Sequence, residues 1–278
     1  MSEPVLYLVG TPIGNLSDLS KRTIEILSKV DFIAAEDTRN TLKLLNHLGL
    51  KKPMISYFEH NKRERGMEIL RRIQEGETCA LVTDAGMPGI SDPGEDLVVL
   101  LTEQGYEVSF IPGPCALIGA LILSGLPTGR FSFEGFLSTT KKNRLAHLEE
   151  LKNKRETLIF YEAPQKLRTT LQDLLEHLGD RRIALCKELT KLHETVQRGT
   201  VSEMIAFYEA VTPRGEYVIV LDGAKELQQE APFWEKLSAE AHVEYYVQTG
   251  LSKKDAIKAA ATDRGVAKSE IYNEVMKK

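Results

Sequence analysis

Three loops rich in glycine and proline are where this sequence could hold a small molecule: residues 9–15, 83–94 and 111–115. In the first, Gly10-Thr11-Pro12-Ile13-Gly14-Asn15, the glycines let backbone approach a ligand and Pro12 stiffens that approach. It is neither the G-x-x-x-x-G-K-[ST] phosphate loop nor the G-x-G-x-x-G dinucleotide loop, so ATP and NAD held by those routes are set aside. The second loop carries Gly86, Gly89, Gly94, Pro88 and Pro93, more than a plain connection needs. Asp84 at its start is placed to meet a ligand amine or hydroxyl, or to cap the loop's own amides. Pro93 is read as the first residue of a helix, with Asp92 as its cap. The third, Ile111-Pro112-Gly113-Pro114-Cys115-Ala116, lets a flat ligand lie against backbone, or serves only as a linker. Cys115 has no partner base in its segment and is not read as a nucleophile.

The elements that must position these loops alternate in type. Strands are predicted over residues 5–9, 32–35, 54–57, 79–83 and 107–111, with helices over 19–28, 41–48, 62–74 and 95–104 between them. Strands separated by helices imply βαβ units and a mainly parallel sheet. In such sheets ligands sit beyond the carboxyl ends of the strands, where all three loops fall. Pro112-Gly113-Pro114 stops both helix and strand and marks a boundary. A second α/β unit follows, with strands over 131–135, 157–161, 182–187, 194–199 and 217–221 and helices over 116–123, 142–151, 164–177 and 201–210. One strand directly follows another there, which predicts a mixed sheet. The expected domains are 1–112, 113–223 and a helical tail over 224–278. In the tail, Ser252 caps a helix of about ten residues. Arg264-Gly265-Val266 makes a turn, and 268–276 forms a helix with Ile271, Tyr272 and Val275 facing inward, a helix-turn-helix outline.

The chain has 278 residues, 42% hydrophobic and 27% charged, with a net charge of −4. That is ordinary for a globular protein and excludes bulk electrostatic coating of nucleic acid. Cys79, Cys115 and Cys186 are too few and too scattered for a disulfide framework or a cysteine-based zinc site. No metal is expected. The N-terminus lacks a signal-peptide pattern and no apolar run is long enough to span a bilayer, so a cytoplasmic protein without membrane contact is expected.

In order along the chain, Val9-Gly10-Thr11-Pro12-Ile13-Gly14-Asn15-Leu16, Ala35-Glu36-Asp37-Thr38-Arg39, Asp84-Ala85-Gly86-Met87-Pro88 and Ile111-Pro112-Gly113-Pro114 resemble the tetrapyrrole-methylase-like (class III) S-adenosylmethionine-dependent methyltransferases. Later segments agree: Phe133-Glu134-Gly135-Phe136-Leu137, Tyr161-Glu162-Ala163-Pro164, Lys187-Glu188-Leu189-Thr190-Lys191 with Glu194, and Gly215-Glu216-Tyr217. The likeness runs from about residue 4 to 223 and is greatest to the bacterial branch acting on small-subunit ribosomal RNA.

The resemblance implies two α/β domains with S-adenosylmethionine in a cleft between them, a homodimer, and 2′-O-methylation of a cytidine ribose in the decoding centre of 16S rRNA. Pro12, Ile13, Gly14, Asp84, Ala85, Gly86, Met87, Pro88, Ile90, Cys115, Ala116 and Leu117 match family positions that line the cleft, in agreement with the loops. Tyr161, Glu162, Leu189, Thr190, Gly215, Glu216 and Tyr217 are assigned to it by resemblance alone.

A ribose hydroxyl is a poor nucleophile, so a general base is expected. Glu36 and Asp37 are the candidates, with Arg39 gripping a phosphate or orienting them. The competing reading makes residues 36–39 a structural ion-pair and cap network. Lys187 and Glu188 are a second candidate pair. RNA would be held by local basic patches at 60–65, 141–144 and 253–258, with Tyr57 and Phe58 able to stack a base. Two other functions fit less of the chain. A methyltransferase for a small tetrapyrrole needs neither basic patches nor tail, and a DNA-binding regulator that senses S-adenosylmethionine would use the tail as its reader.

Overall fold

The computed structural model describes residues 3–225, 233–235 and 237–276. Contacts divide the chain into two units, Met1–Lys225 and Glu226–Lys278.

In the first unit, five short apolar runs form one sheet: β1 (Leu6–Val9), β2 (Phe32–Ala35), β3 (Met54–Ser56), β4 (Cys79–Val82) and β5 (Val108–Ile111). All pairings are parallel, in the order β3-β2-β4-β1-β5. Every residue of β2 and β4 is buried, as continuous apolar strands covered on both faces must be. Helices α1 (Lys21–Lys29) and α2 (Thr38–His47) cover one face through Leu27 and Leu45. Helices α3 (Lys62–Gln74) and α4 (Gly94–Glu103) cover the other through Ile69, Ile73, Leu97 and Leu101. The chain leaves β1 toward β2 but leaves β4 toward β5. These neighbouring strands send their loops opposite ways, which opens a crevice beyond their carboxyl ends.

Helix starts differ from expectation where a side chain caps them. Helix α1 begins at Lys21 after a 3₁₀ turn, with the Ser20 hydroxyl accepting from the Thr23 amide (3.0 Å). Helix α2 begins three residues early, at Thr38, because Asp37 accepts the Arg39 amide (2.8 Å). Pro93, not Asp92, holds the N-cap position of α4, yet Asp92 still accepts the Gly94 amide (2.8 Å).

The second half of this unit runs α5 (Ala116–Ser124), β6 (Phe131–Phe136), α6 (Lys141–Leu151), β7 (Thr157–Glu162), α7 (Leu167–Leu178), β8 (Arg182–Lys187), β9 (Thr195–Thr200), α8 (Val201–Ala210) and β10 (Tyr217–Leu221). The sheet order is β6-β7-β10-β8-β9. It is mixed: β6 and β7 are parallel and the other pairs antiparallel. Helix α5 packs on one face through Leu117, Ala120 and Leu121. Helices α6, α7 and α8 pack on the other through Leu148, Leu171, Leu174 and Met204.

The second unit contains α9 (Ala239–Gln248), α10 (Lys253–Arg264) and α11 (Lys268–Met276), packed on Val243, Ile257, Ala260 and Ile271. Residues 226–232, 236 and 277–278 of the expected tail lie outside the described residues. Ser252 caps α10, and Gly265 ends it in the left-handed conformation (φ 65°). Tyr272 does not face inward; it is 49% exposed, because Ile271 takes the core position and the next residue is turned about 100° away. Helix α9 was not predicted. Its buried face includes His242, hydrogen-bonded to Asp263 (3.1 Å) and Arg264 (3.1 Å).

Candidate active site

The loops after β1, β4 and β5 are tied to one another. Thr11 and Gly86 exchange backbone hydrogen bonds of 2.9 and 3.1 Å, and the Thr11 hydroxyl donates to the Thr83 carbonyl (3.1 Å). Gly10 and Gly113 are back to back: a Cβ on either would lie 2.7 Å from the other's Cα, so neither position admits a side chain. Asp92 gathers the amides of Gly89 (2.9 Å) and Ile90 (3.1 Å), folding the middle of the second loop. Glu36, at the end of β2, accepts the Thr83 hydroxyl and the Asp84 amide (3.3 Å).

The facing wall comes from β7, β8 and β10. Tyr161 packs edge-on against Phe133 and Phe136, and burial pushes its phenol up to about 12. Glu162 is buried and accepts the Ala163 amide (2.9 Å) and the Thr170 hydroxyl. Glu188 accepts the Glu216 amide (2.9 Å), which holds its carboxyl below its usual range. It also pairs with Lys191 (3.0 Å). Glu188 and Thr190 adopt left-handed backbone (φ 53° and 65°), an unfavourable state for side-chain-bearing residues that clusters at functional sites. The Thr190 hydroxyl is buried with no hydrogen-bond partner among the described residues.

Between the walls is a cavity of about 590 Å³, within the range of small-molecule sites. From the first loop it takes Ile13; from the second, Asp84, Ala85, Gly86, Met87 and Ile90; from the third, Cys115 and Ala116. The facing wall contributes Tyr161, Glu162, Leu189, Glu216 and Tyr217. Six assigned positions do not line it. Pro12 borders a second pocket, and Leu117 is buried against the second sheet. Gly14 lies beneath the Lys191 stem, and Gly215 backs onto Glu188 at a positive φ of 78°. Pro88 and Thr190 complete the six. Phe136, Cys186, Lys191 and Val218 also line the cavity; Phe136 and Lys191 fall within family-like segments, but the sequence assigns none of the four to the site. Each sits at a strand end or turn with no distinguishing local signal. Thr83, Ser91 and Asp92 line it from within the second loop, and Glu188 does so without Lys187.

The three expected catalytic residues separate. Glu36 lines the cavity; Asp37 and Arg39 do not. Arg39 grips both Asp37 oxygens (3.0 and 2.7 Å), and these bonds and the Arg39 amide hold the Asp37 carboxyl at about 2. Asp84 moves the other way: burial first, and then the Glu36 charge, raise it above the ordinary carboxylate value. In two of the expected basic patches some of the charge is already paired within the protein. Lys62 pairs with Glu59 and Asp96 (2.9 Å each), and Arg144 is buried on Asp173 (2.6 Å). Tyr57 is buried with its hydroxyl on the Pro93 carbonyl (3.0 Å), so it offers no face to a base.

Residues 5–205 match the family described as Tetrapyrrole (Corrin/Porphyrin) Methylases. The chain belongs to that family. Among its relatives, "Ribosomal RNA small subunit methyltransferase I" of Halalkalibacterium halodurans is 49% identical over 96% of this chain and 93% of its own. The Thermotoga maritima protein of the same name is 48% identical over 78% of this chain and 98% of its own. The crystal structure of the methyltransferase CobJ shares the family fold, with a TM-score of 0.60 at 17% identity over 80% of this chain and 95% of that one.

Proposed function

We propose that this protein transfers a methyl group from S-adenosylmethionine to the 2′ hydroxyl of a cytidine in the decoding centre of 16S rRNA, acting in the cytoplasm as a homodimer. The observation that carries the reading is near-full-length likeness to proteins named as small-subunit rRNA methyltransferases. The decoding-centre cytidine and the 2′ oxygen rest on the ordered motifs of that branch.

The cavity suits the methyl donor. Ile13, Ala116, Leu189 and Val218 offer apolar surface to a purine, and the Glu216 carboxylate suits an ammonium group or ribose hydroxyls. The Thr190 hydroxyl, between the lining residues Leu189 and Lys191, is a buried polar group with no partner among the described residues, of the kind a ligand satisfies. Bound S-adenosylmethionine supplies a methyl already activated on a sulfonium. The residues of the chain then position the acceptor and take its proton, and positioning alone supplies much of the acceleration. Glu36 and Asp84 are assigned to the proton. Asp37 caps α2 and orients Arg39, which remains exposed toward the acceptor side. Support for a homodimer comes from α5, whose Ile118, Ile122 and Leu123 are exposed on an otherwise buried helix.

Mass spectrometry of 16S rRNA from cells with and without the gene tests the reading. One ribose methyl on a decoding-centre cytidine should be lost with the gene; an unchanged pattern overturns it.

A further inference from the structure

A second pocket, about 230 Å³, shares two residues with the large cavity: Thr83 and Asp84. Its remaining wall is the loop at Thr11 and Pro12 and one side of α2, including Asn40, Lys43 and His47. It is smaller than the roughly 300 Å³ at which small-molecule sites begin. That suits a sugar–phosphate unit better than a second cofactor.

Helix α2 exposes Arg39, Lys43 and His47 at four-residue steps. Each step is about 6 Å along the axis and about 40° around it, so the three form one stripe. Lys43 Nζ donates to the neutral Asn40 amide oxygen (3.3 Å), which leaves its charge available to an anion. The chain as a whole carries −4, so this local row of basic side chains, in which Lys43 has no carboxylate partner among the described residues, is a contrast that favours a polyanion there. The stripe begins at Arg39, next to the acidic pair, because Asp37 sets the start of α2. Asp84 lines both pockets, and its amide donates to Glu36 (3.3 Å), which ties it to the end of β2 at their junction.

We propose that this second pocket seats the acceptor nucleotide, with Lys43 and His47 on its flanking phosphates and Asp84 facing its reacting hydroxyl. The inference rests on the RNA methyltransferase reading above. A transferase needs two ligands to meet at one point, and Thr83 and Asp84 are the residues both pockets share. As the oxygen–methyl bond forms, the carbon–sulfur bond of the sulfonium breaks and a neutral thioether leaves. The hydroxyl proton passes to the Asp84 carboxylate.

The test uses the full-length enzyme on small ribosomal subunits from cells lacking the gene. Lys43→Glu and His47→Glu should raise KM for subunits by roughly tenfold or more and flatten the salt dependence of KM. The kcat at saturation and the calorimetric S-adenosylmethionine affinity should stay within about twofold, and Lys43→Arg should restore KM. Wild-type KM in both Glu variants would overturn the acceptor seat while leaving the methyltransferase reading intact. A wild-type enzyme that binds S-adenosylmethionine but labels no rRNA would overturn that reading, and the acceptor seat with it.

Discussion

Three carboxylates stand within a few residues of the crevice, and their surroundings divide the work. Asp37 is held at about 2 by Arg39 and spends its oxygens on the start of α2. Asp84 is raised by burial and by Glu36, which makes it the better proton acceptor. Its working form is the carboxylate, so kcat should fall as pH drops through its raised pKa. Glu36→Gln removes the neighbouring charge and should move that acid limb to lower pH. Asp84→Asn should cost about 10²–10⁴ in kcat, the usual range for a general base. A pH profile of single-turnover rates checks both; an acid limb that does not move in Glu36→Gln contradicts the pairing. The sequence showed acids beside an arginine but not which acid was spoken for, since an Asp before a helix serves equally as cap or base. Thr190 and Glu188 were legible only through resemblance, because a left-handed backbone at a side-chain-bearing residue leaves no trace in residue type.

At the scale of elements, the three loops were readable because glycine and proline answer to backbone demands that are local. Gly10 and Gly113 show why: their backbones touch. The facing wall was harder to read, since it is assembled from strand ends such as Tyr161 and Val218 that look like any core strand. Helix α9 escaped for a different reason: a histidine occupies its inward face. Burial first, and then the Arg264 charge, hold the His242 imidazole below its ordinary 6.5. Folded protein therefore binds fewer protons than unfolded chain between that lowered value and 6.5. Stability of the three-helix unit is full above 6.5 and declines as pH falls through this window. Trp234, the chain's single tryptophan, stacks on His242 and reports the unit directly. Its fluorescence midpoint in urea should be lower at about pH 5 than at about pH 7.5, and less so in His242→Phe. An equal pH dependence in the two proteins contradicts the assignment.

For the whole molecule, the alternation of strands and helices made the two-sheet α/β architecture legible, and the strand-strand succession at β8 and β9 made the second sheet's mixed character so. Strand order was not legible, because β4 inserts between β2 and β1, and that insertion is what creates the crevice. Exposed apolar residues on α5 say the first unit has a surface to cover. Ile122 is 68% exposed, and Ile122→Glu should convert a dimer to a monomer in sedimentation velocity. A wild-type protein that sediments as a single chain at micromolar concentration contradicts the homodimer.

Two assignments meet at Asp84: a methyl donor in the large cavity and an RNA ribose as acceptor. Purified protein, labelled S-adenosylmethionine and small subunits from cells lacking the gene test them together. The label should appear on the 2′ oxygen of one decoding-centre cytidine, located by mass spectrometry of nuclease fragments. Label on a base atom, on ribosomal protein, or nowhere in the subunit while a tetrapyrrole is methylated would contradict it.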